Sequence, residues 1–247
     1  MIIRRFTQHI KKQNWFAVGL DMMVVILGIF FGFQLTEWNE ERISRTEEKL
    51  YLKRIQADIL ESIERTEKGI EYMQRNANRS TVILRSLEKC NISTDNEDEF
   101  ASGLYQLGKA TPAFLVTTTI DELRSTGKWN IIQNVEVREK ISAMHAAHKS
   151  VLSVFSQVEG RLLPHINYVD SVVSYEINEP IGGAASMSLE NIKYDFKLLC
   201  GDTRFYNAIS TVRNYAFDLV SQNSRIVSVY KNTLDKVNRE ISTETIN

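Results

Sequence analysis

Proline is scarce in this 247-residue chain, which carries only Pro112, Pro164 and Pro180. Eleven glycines, several of them clustered at apparent turns, leave long stretches without a breaker, so long helices are favoured over short strands. An excess of charge of either sign is also missing: 30 Lys and Arg face 31 Asp and Glu, for a formal net charge of −1. Without a basic field to attract phosphates, nucleic acid is not an expected partner. The length accommodates one domain plus an appendage.

Signatures of chemistry are missing as well. The run Thr117-Thr118-Thr119 has no Gly-x-Ser-x-Gly turn or His/Asp frame beside it, and Gly182-Gly183 is not followed by the Lys-Ser/Thr of a phosphate-binding loop. His145 and His148 stand three apart on one helical stretch, but no acidic set completes a metal site, and His148 falls on an apolar seam. No catalytic residue, metal or cofactor is expected, and the chain is not read as an enzyme.

What the chain does hold is one long apolar run. From Trp15 to Trp38 the only charges are Asp21 and Glu37. As a helix the run extends roughly 34 Å, enough to cross a hydrocarbon core of about 30 Å, with a tryptophan at each interface. It ends without a small-x-small cleavage site, which favours an anchor over a cleaved signal peptide. Basic residues nearly tie across it: Arg4, Arg5, Lys11 and Lys12 face Arg42, Arg45, Lys49, Lys53 and Arg54. Long domains translocate largely regardless of charge, so the short basic end is assigned to the cytoplasm. The expected organisation is a short cytoplasmic N-terminus at 1–14, a transmembrane helix at 15–38 and a helical extracytoplasmic domain at 39–247. In a bacterium that places the anchor in the inner membrane and the C-terminal domain in the periplasm.

Asp21, Gly28 and Gly32 fall within about 20° of one helix line. Gly28 and Gly32 form a GxxxG face, the spacing that lets two helix backbones approach in lipid, and a carboxylate at that depth calls for pairing or a nearby headgroup. Two readings stand: a packing face for a second copy or a partner membrane helix, or ordinary glycines with Asp21 reaching the interface.

Beyond the anchor the pattern predicts an all-α fold, an elongated antiparallel bundle built on three long helices. The first spans Glu40 to about Lys89, with a seam at Leu52, Ile55, Ile59, Ile63, Thr66, Ile70, Met73, Ala77, Ser80, Leu84 and Leu87. A loop over Cys90–Asp98 and a short helix from Glu97 to Leu107 should follow. The stretch from Thr111-Pro112 is irregular, with a helical piece at Thr118–Ser125 closed by Gly127 in a left-handed cap. The second long helix, Val135 to Leu163, has its stripe at Val137, Ile141, Met144, His148, Val151, Phe155, Val158 and Leu162, and Pro164 should end or kink it. Tyr168–Tyr175 should continue helically, before a surface loop at Asn178–Gly183. The third long helix runs from about Thr203 to Ser242, capped by Asp202, with a seam from Phe205 through Ile209, Val212, Ala216, Leu219, Ile226, Tyr230 and Val237 to Ile241.

Cys90 and Cys200 flank loops at two helix ends. In an oxidising compartment they are a reasonable pair, closing a loop for which entropy models give about 4 to 5 kcal/mol; the alternative is two free thiols. Gly127 with Trp129, Ile131 and Ile132 reads as a structural turn plugging one end of the bundle, or else as a docking surface.

Two stretches, Asp21–Gln34 leading into Trp38-Asn39-Glu40-Glu41-Arg42, and Ile120–Asn134 followed by Val137-Arg138, resemble an uncharacterised family of bacterial single-pass membrane proteins known chiefly as a domain of unknown function. The family's acidic opening to the membrane run, its Trp-Asn-Glu-like exit and its Ser-Ser-Gly-like turn all have counterparts here. Asp21 stands where Glu is commoner, and Thr126 precedes the glycine. The resemblance implies an anchored helical domain outside the cytoplasm and brings no activity. The expectation is therefore a structural or interaction protein of the cell envelope; the alternative is an extracytoplasmic ligand-sensing bundle that signals through a membrane partner.

Overall fold

The computed structural model describes residues 15–176 and 192–243, with Trp15–Gly19 and Asp21 described by backbone alone. The fold is all-α. Six helices are present among the described residues: α1 (Trp15–Lys89), α2 (Glu97–Tyr105), α3 (Thr118–Ser125), α4 (Val135–Val172), α5 (Phe196–Gly201) and α6 (Thr203–Thr243). Short 3-10 turns lie at Thr94–Asn96 and Lys128–Ile131, and β1 (Ser174–Tyr175) pairs antiparallel with β2 (Ile192–Lys193). The chain divides into two compact units, Met1–Tyr51 and Leu52–Asn247.

In the first unit the helix has no core to face. Every described side chain from Met22 to Ile43 is exposed, and Thr36 and Thr46 return their hydroxyls to the Gly32 and Arg42 carbonyls one turn back. An 18-residue window here is apolar enough to cross a membrane, and none of it is buried.

In the second unit, polar pairs record how the helices run. Residues 52–89 of α1 meet α6 at Gln56–Asn238, Glu67–Lys231 and Glu88–Tyr206, each 2.7 to 2.8 Å apart, so one helix ascends as the other descends. Helix α4 meets α6 in the same sense, from Glu136–Lys236 through His148–Tyr230 to Tyr168–Asp202. Between α2 and α3 the chain is an extended strap that also runs antiparallel to α1. Successive contacts are Asn76 with the Lys109 carbonyl, the Gly69 carbonyl with Thr111, Thr66 with Phe114, Ser62 with Val116 and Asp58 with Thr119. Each long helix therefore packs against a neighbour of opposite direction.

The seams carry the burial. On α1 every seam position except half-buried Ile70 is inside; on α6 only Ala216 and Ile241 are partly open. Burying a Leu, Ile or Phe side chain contributes about 1.5 to 3 kcal/mol, so these stripes supply most of the cohesion. The α1 stripe is wider than one helix requires, because Ser62, Asn76, Ile83 and Ser86 are buried beside it. The strap and α2 cover that second flank.

Several local expectations are revised. Pro164 does not end its helix: α4 continues to Val172 with Pro164 inside it. The carbonyl four residues earlier belongs to Gly160, whose Cβ direction is open, so the backbone there has room to adapt. Tyr168–Tyr175 is helical only to Val172. Val173 turns extended at φ −125° and ψ 127°, and Ser174–Tyr175 pairs with Ile192–Lys193, where the β-branched pair Val172-Val173 favours leaving the helix. Helix α2 stops at Tyr105, short of Leu107. Helix α5 comes in addition, started by Asp195, whose carboxylate accepts the Leu198 N–H at 3.1 Å. The loop anticipated at Asn178–Gly183 lies outside the described residues.

Candidate functional site

The first locus is the glycine face. A Cβ built on Gly28 or Gly32 would meet nothing within 4 Å, so both positions present open backbone at the surface of an exposed apolar helix. The Asp21 side chain lies outside the described residues.

The second locus is the interior under the strap. An extended segment pressed on a helix must find partners for its own N–H and C=O groups, and a helix has none to spare. Here side chains supply them. The Phe114 N–H donates to Thr66 Oγ1 at 3.1 Å, and the Val116 N–H to Ser62 Oγ at 2.9 Å. Asn76 Nδ2 donates to the Lys109 carbonyl at 3.3 Å, and Asn223 Nδ2 to that of Thr111 at 3.2 Å. The strap opens at Gly108, with φ +73°; there a Cβ would stand 2.3 Å from Ile166 Cδ1, so the Ile166 side chain on α4 would have to shift to admit one. It ends where Asp58 Oδ2 accepts the Thr119 N–H at 3.1 Å, capping α3, whose own N-cap Thr117 makes no side-chain bond. The amide oxygens of Asn76 and Asn223 are buried without a protein partner, and a cavity of about 10 Å³ is lined by Asn76, Ser80 and Gln106 among others. That is room for one water molecule.

None of these polar roles was read from the sequence. In sequence Thr66 and Ser80 read as small seam residues, and nothing local distinguishes Asp58, Ser62, Asn76 or Asn223. The available signal was Pro112 in an irregular stretch opposite a seam interrupted by Ser, Thr and Asn.

The third locus is the end of α1. Cys90 and Cys200 are joined as a disulfide with Cα atoms 5.4 Å apart, inside the usual bridging range. Cys90 is exposed and Cys200 half-buried.

At the other end, Gly127 holds φ +71°, and its N–H donates to the Arg124 carbonyl at 3.3 Å. Trp129 is half-buried with the Arg124 guanidinium 5.0 Å from its ring, Ile131 is half-buried and Ile132 fully buried.

The two histidines have separate partners. His148 Nδ1 lies 2.7 Å from the hydroxyl of fully buried Tyr230, and burial, then the neighbouring His145, holds its pKa below the ordinary histidine value. His145 sits 3.2 Å from Arg124 and is lowered by burial and then by that cation. Among the described residues no group of three His, Cys, Asp or Glu side chains is placed to hold a metal.

No family model, no curated protein and no solved structure matches the chain.

Proposed function

We propose that the protein is a membrane-anchored component of the bacterial cell envelope, structural or protein-binding in role, with residues 15–38 in the inner membrane and 39–247 as a helical bundle in the periplasm. The observation that carries this reading is the apolar window near the start of α1, none of which is buried. In water such a surface far exceeds the patches that soluble monomers tolerate, whereas in lipid it is at home. The Cys90–Cys200 bridge agrees with an oxidising compartment on the far side of the membrane. The resemblance of the anchor exit and of the Gly127 turn to a family of single-pass membrane proteins points the same way.

The open backbone at Gly28 and Gly32 supports self-association, or pairing with another membrane helix, through that face. Crosslinking of the full-length protein in membranes should give a dimer that is lost in Gly28→Leu and in Gly32→Leu; a dimer surviving both changes excludes the face. A ligand-sensing bundle is the competing role. The water-sized cavity beside Asn76 does not favour it, since small-molecule sites occupy about 300 to 1,000 Å³. Reproducible thermal stabilisation by one class of metabolite would reverse that preference.

A further inference from the structure

Among the described residues, Cys90 is the only one other than glycine with a positive φ, +45°. The bonds around it identify the position. The Asn91 N–H donates to the Ser86 carbonyl at 3.0 Å and the Cys90 N–H to that of Leu87 at 3.1 Å, which closes α1 in the wrap where glycine is the usual residue. An L side chain is held in this region only when its surroundings fix it there, and such outliers gather at functional positions. Here the surroundings are those two main-chain bonds and the covalent link to Cys200.

The two cysteines differ in exposure. Cys90 is exposed at the helix end, whereas Cys200 is half-buried in α5 beside Leu199, which is fully packed. Bonds that do not involve the bridge also hold this end of the bundle together: Tyr206 Oη donates to Glu88 at 2.8 Å, and Tyr168 pairs with Asp202. Cutting the bridge would therefore leave both thiols within reach of each other.

We propose that the Cys90–Cys200 bridge is a site of thiol–disulfide exchange with an external dithiol, entered at the sulfur of Cys90. In the reducing direction one thiolate of the dithiol attacks Cys90 Sγ and forms a mixed disulfide. The Sγ–Sγ bond breaks with its electron pair leaving on Cys200, which takes a proton from water. The second thiolate then attacks the dithiol's own sulfur in the mixed disulfide and expels Cys90 as a thiolate. Two electrons pass to the bridge and the dithiol departs as a disulfide; the reverse sequence forms the bridge. Once open, the backbone at Cys90 is free to relax and α5 loses its tether, while the Tyr206–Glu88 and Tyr168–Asp202 bonds and the core beneath stay in place. Exposed or backbone-strained bridges are the ones that behave in this way.

The test uses the wild-type full chain in nanodiscs, treated with reduced glutathione under native conditions, quenched in acid and mapped by peptide mass spectrometry. The glutathione adduct should fall on Cys90 at least about tenfold more often than on Cys200, at concentrations that leave the circular dichroism of the bundle unchanged. An adduct shared equally or mainly on Cys200, or a bridge that opens only when the helices melt, overturns the proposal. Neither outcome depends on where the protein resides.

Discussion

Two parts of α1 use the same kind of residue in opposite ways. Between Met22 and Ile43 the apolar side chains all face outward, and the helix bonds only with itself. Between Leu52 and Lys89 apolar side chains face inward, and buried Asn, Ser and Thr residues serve a neighbouring segment. A helix shielded from water by lipid, as proposed for the first part, would need no amphipathic stripe. One facing water needs a stripe, and where its neighbour is not a helix it needs polar groups inside that stripe.

Arginine would break the comparison most severely in the first part. Ile26→Arg with Phe30→Arg places two charges in the apolar window, at about 2.5 to 3.5 kcal/mol each on insertion scales. The protein should then move from the carbonate-resistant membrane pellet to the supernatant, and retention in the pellet would refute the anchor. In the second part the sensitive residues are Ser62 and Thr66. Ser62→Ala with Thr66→Val leaves the Val116 and Phe114 N–H groups without partners and should cost about 1 to 3 kcal/mol per orphaned group, read by chemical denaturation.

The two left-handed helix ends sharpen the contrast at smaller magnitude. A Cβ added at Gly127 meets nothing within 4 Å, so the loss in Gly127→Val should be chiefly conformational, about 1 to 2 kcal/mol; an unchanged melting curve would rule out the need for positive φ. With Cys200→Ser in the background, Cys90→Gly should be more stable than Cys90→Ser by about 1 kcal/mol, because glycine suits the φ of +45°.

Acid should have the smallest effect. The folded-state pKa of His148 lies below the ordinary 6.5, so the unfolded chain binds the proton more readily. The melting temperature should be flat above about pH 6.5 and decline as pH falls below it, with His145 adding in the same direction. His148→Phe should flatten that decline; a slope unchanged by the substitution would assign it to other groups.

The legible parts of the fold were those written in continuous or periodic local patterns. The apolar run announced itself by length, and the seams on α1, α4 and α6 by steps of three and four. The left-handed cap at Gly127 followed from a glycine closing a short helical pattern. The strap was not legible, because its partners lie far away in sequence: Phe114 bonds across 48 residues, Val116 across 54 and Thr119 across 61. Single hydroxyls at Ser62 and Thr66 look in sequence like tolerated small residues. The spacing of Cys90 and Cys200 allowed a pair but could not supply the 5.4 Å that the packed helix ends provide.

A segment held by its main chain is indifferent to many of its own letters but not to their number. Between Gly108 and Thr119 most exposed side chains could be exchanged without loss, whereas one inserted or deleted residue would shift each amide off the hydroxyl or carboxylate waiting for it. Diversity in this stretch should therefore come as substitutions at constant length, and a library built there should vary identity while leaving spacing untouched.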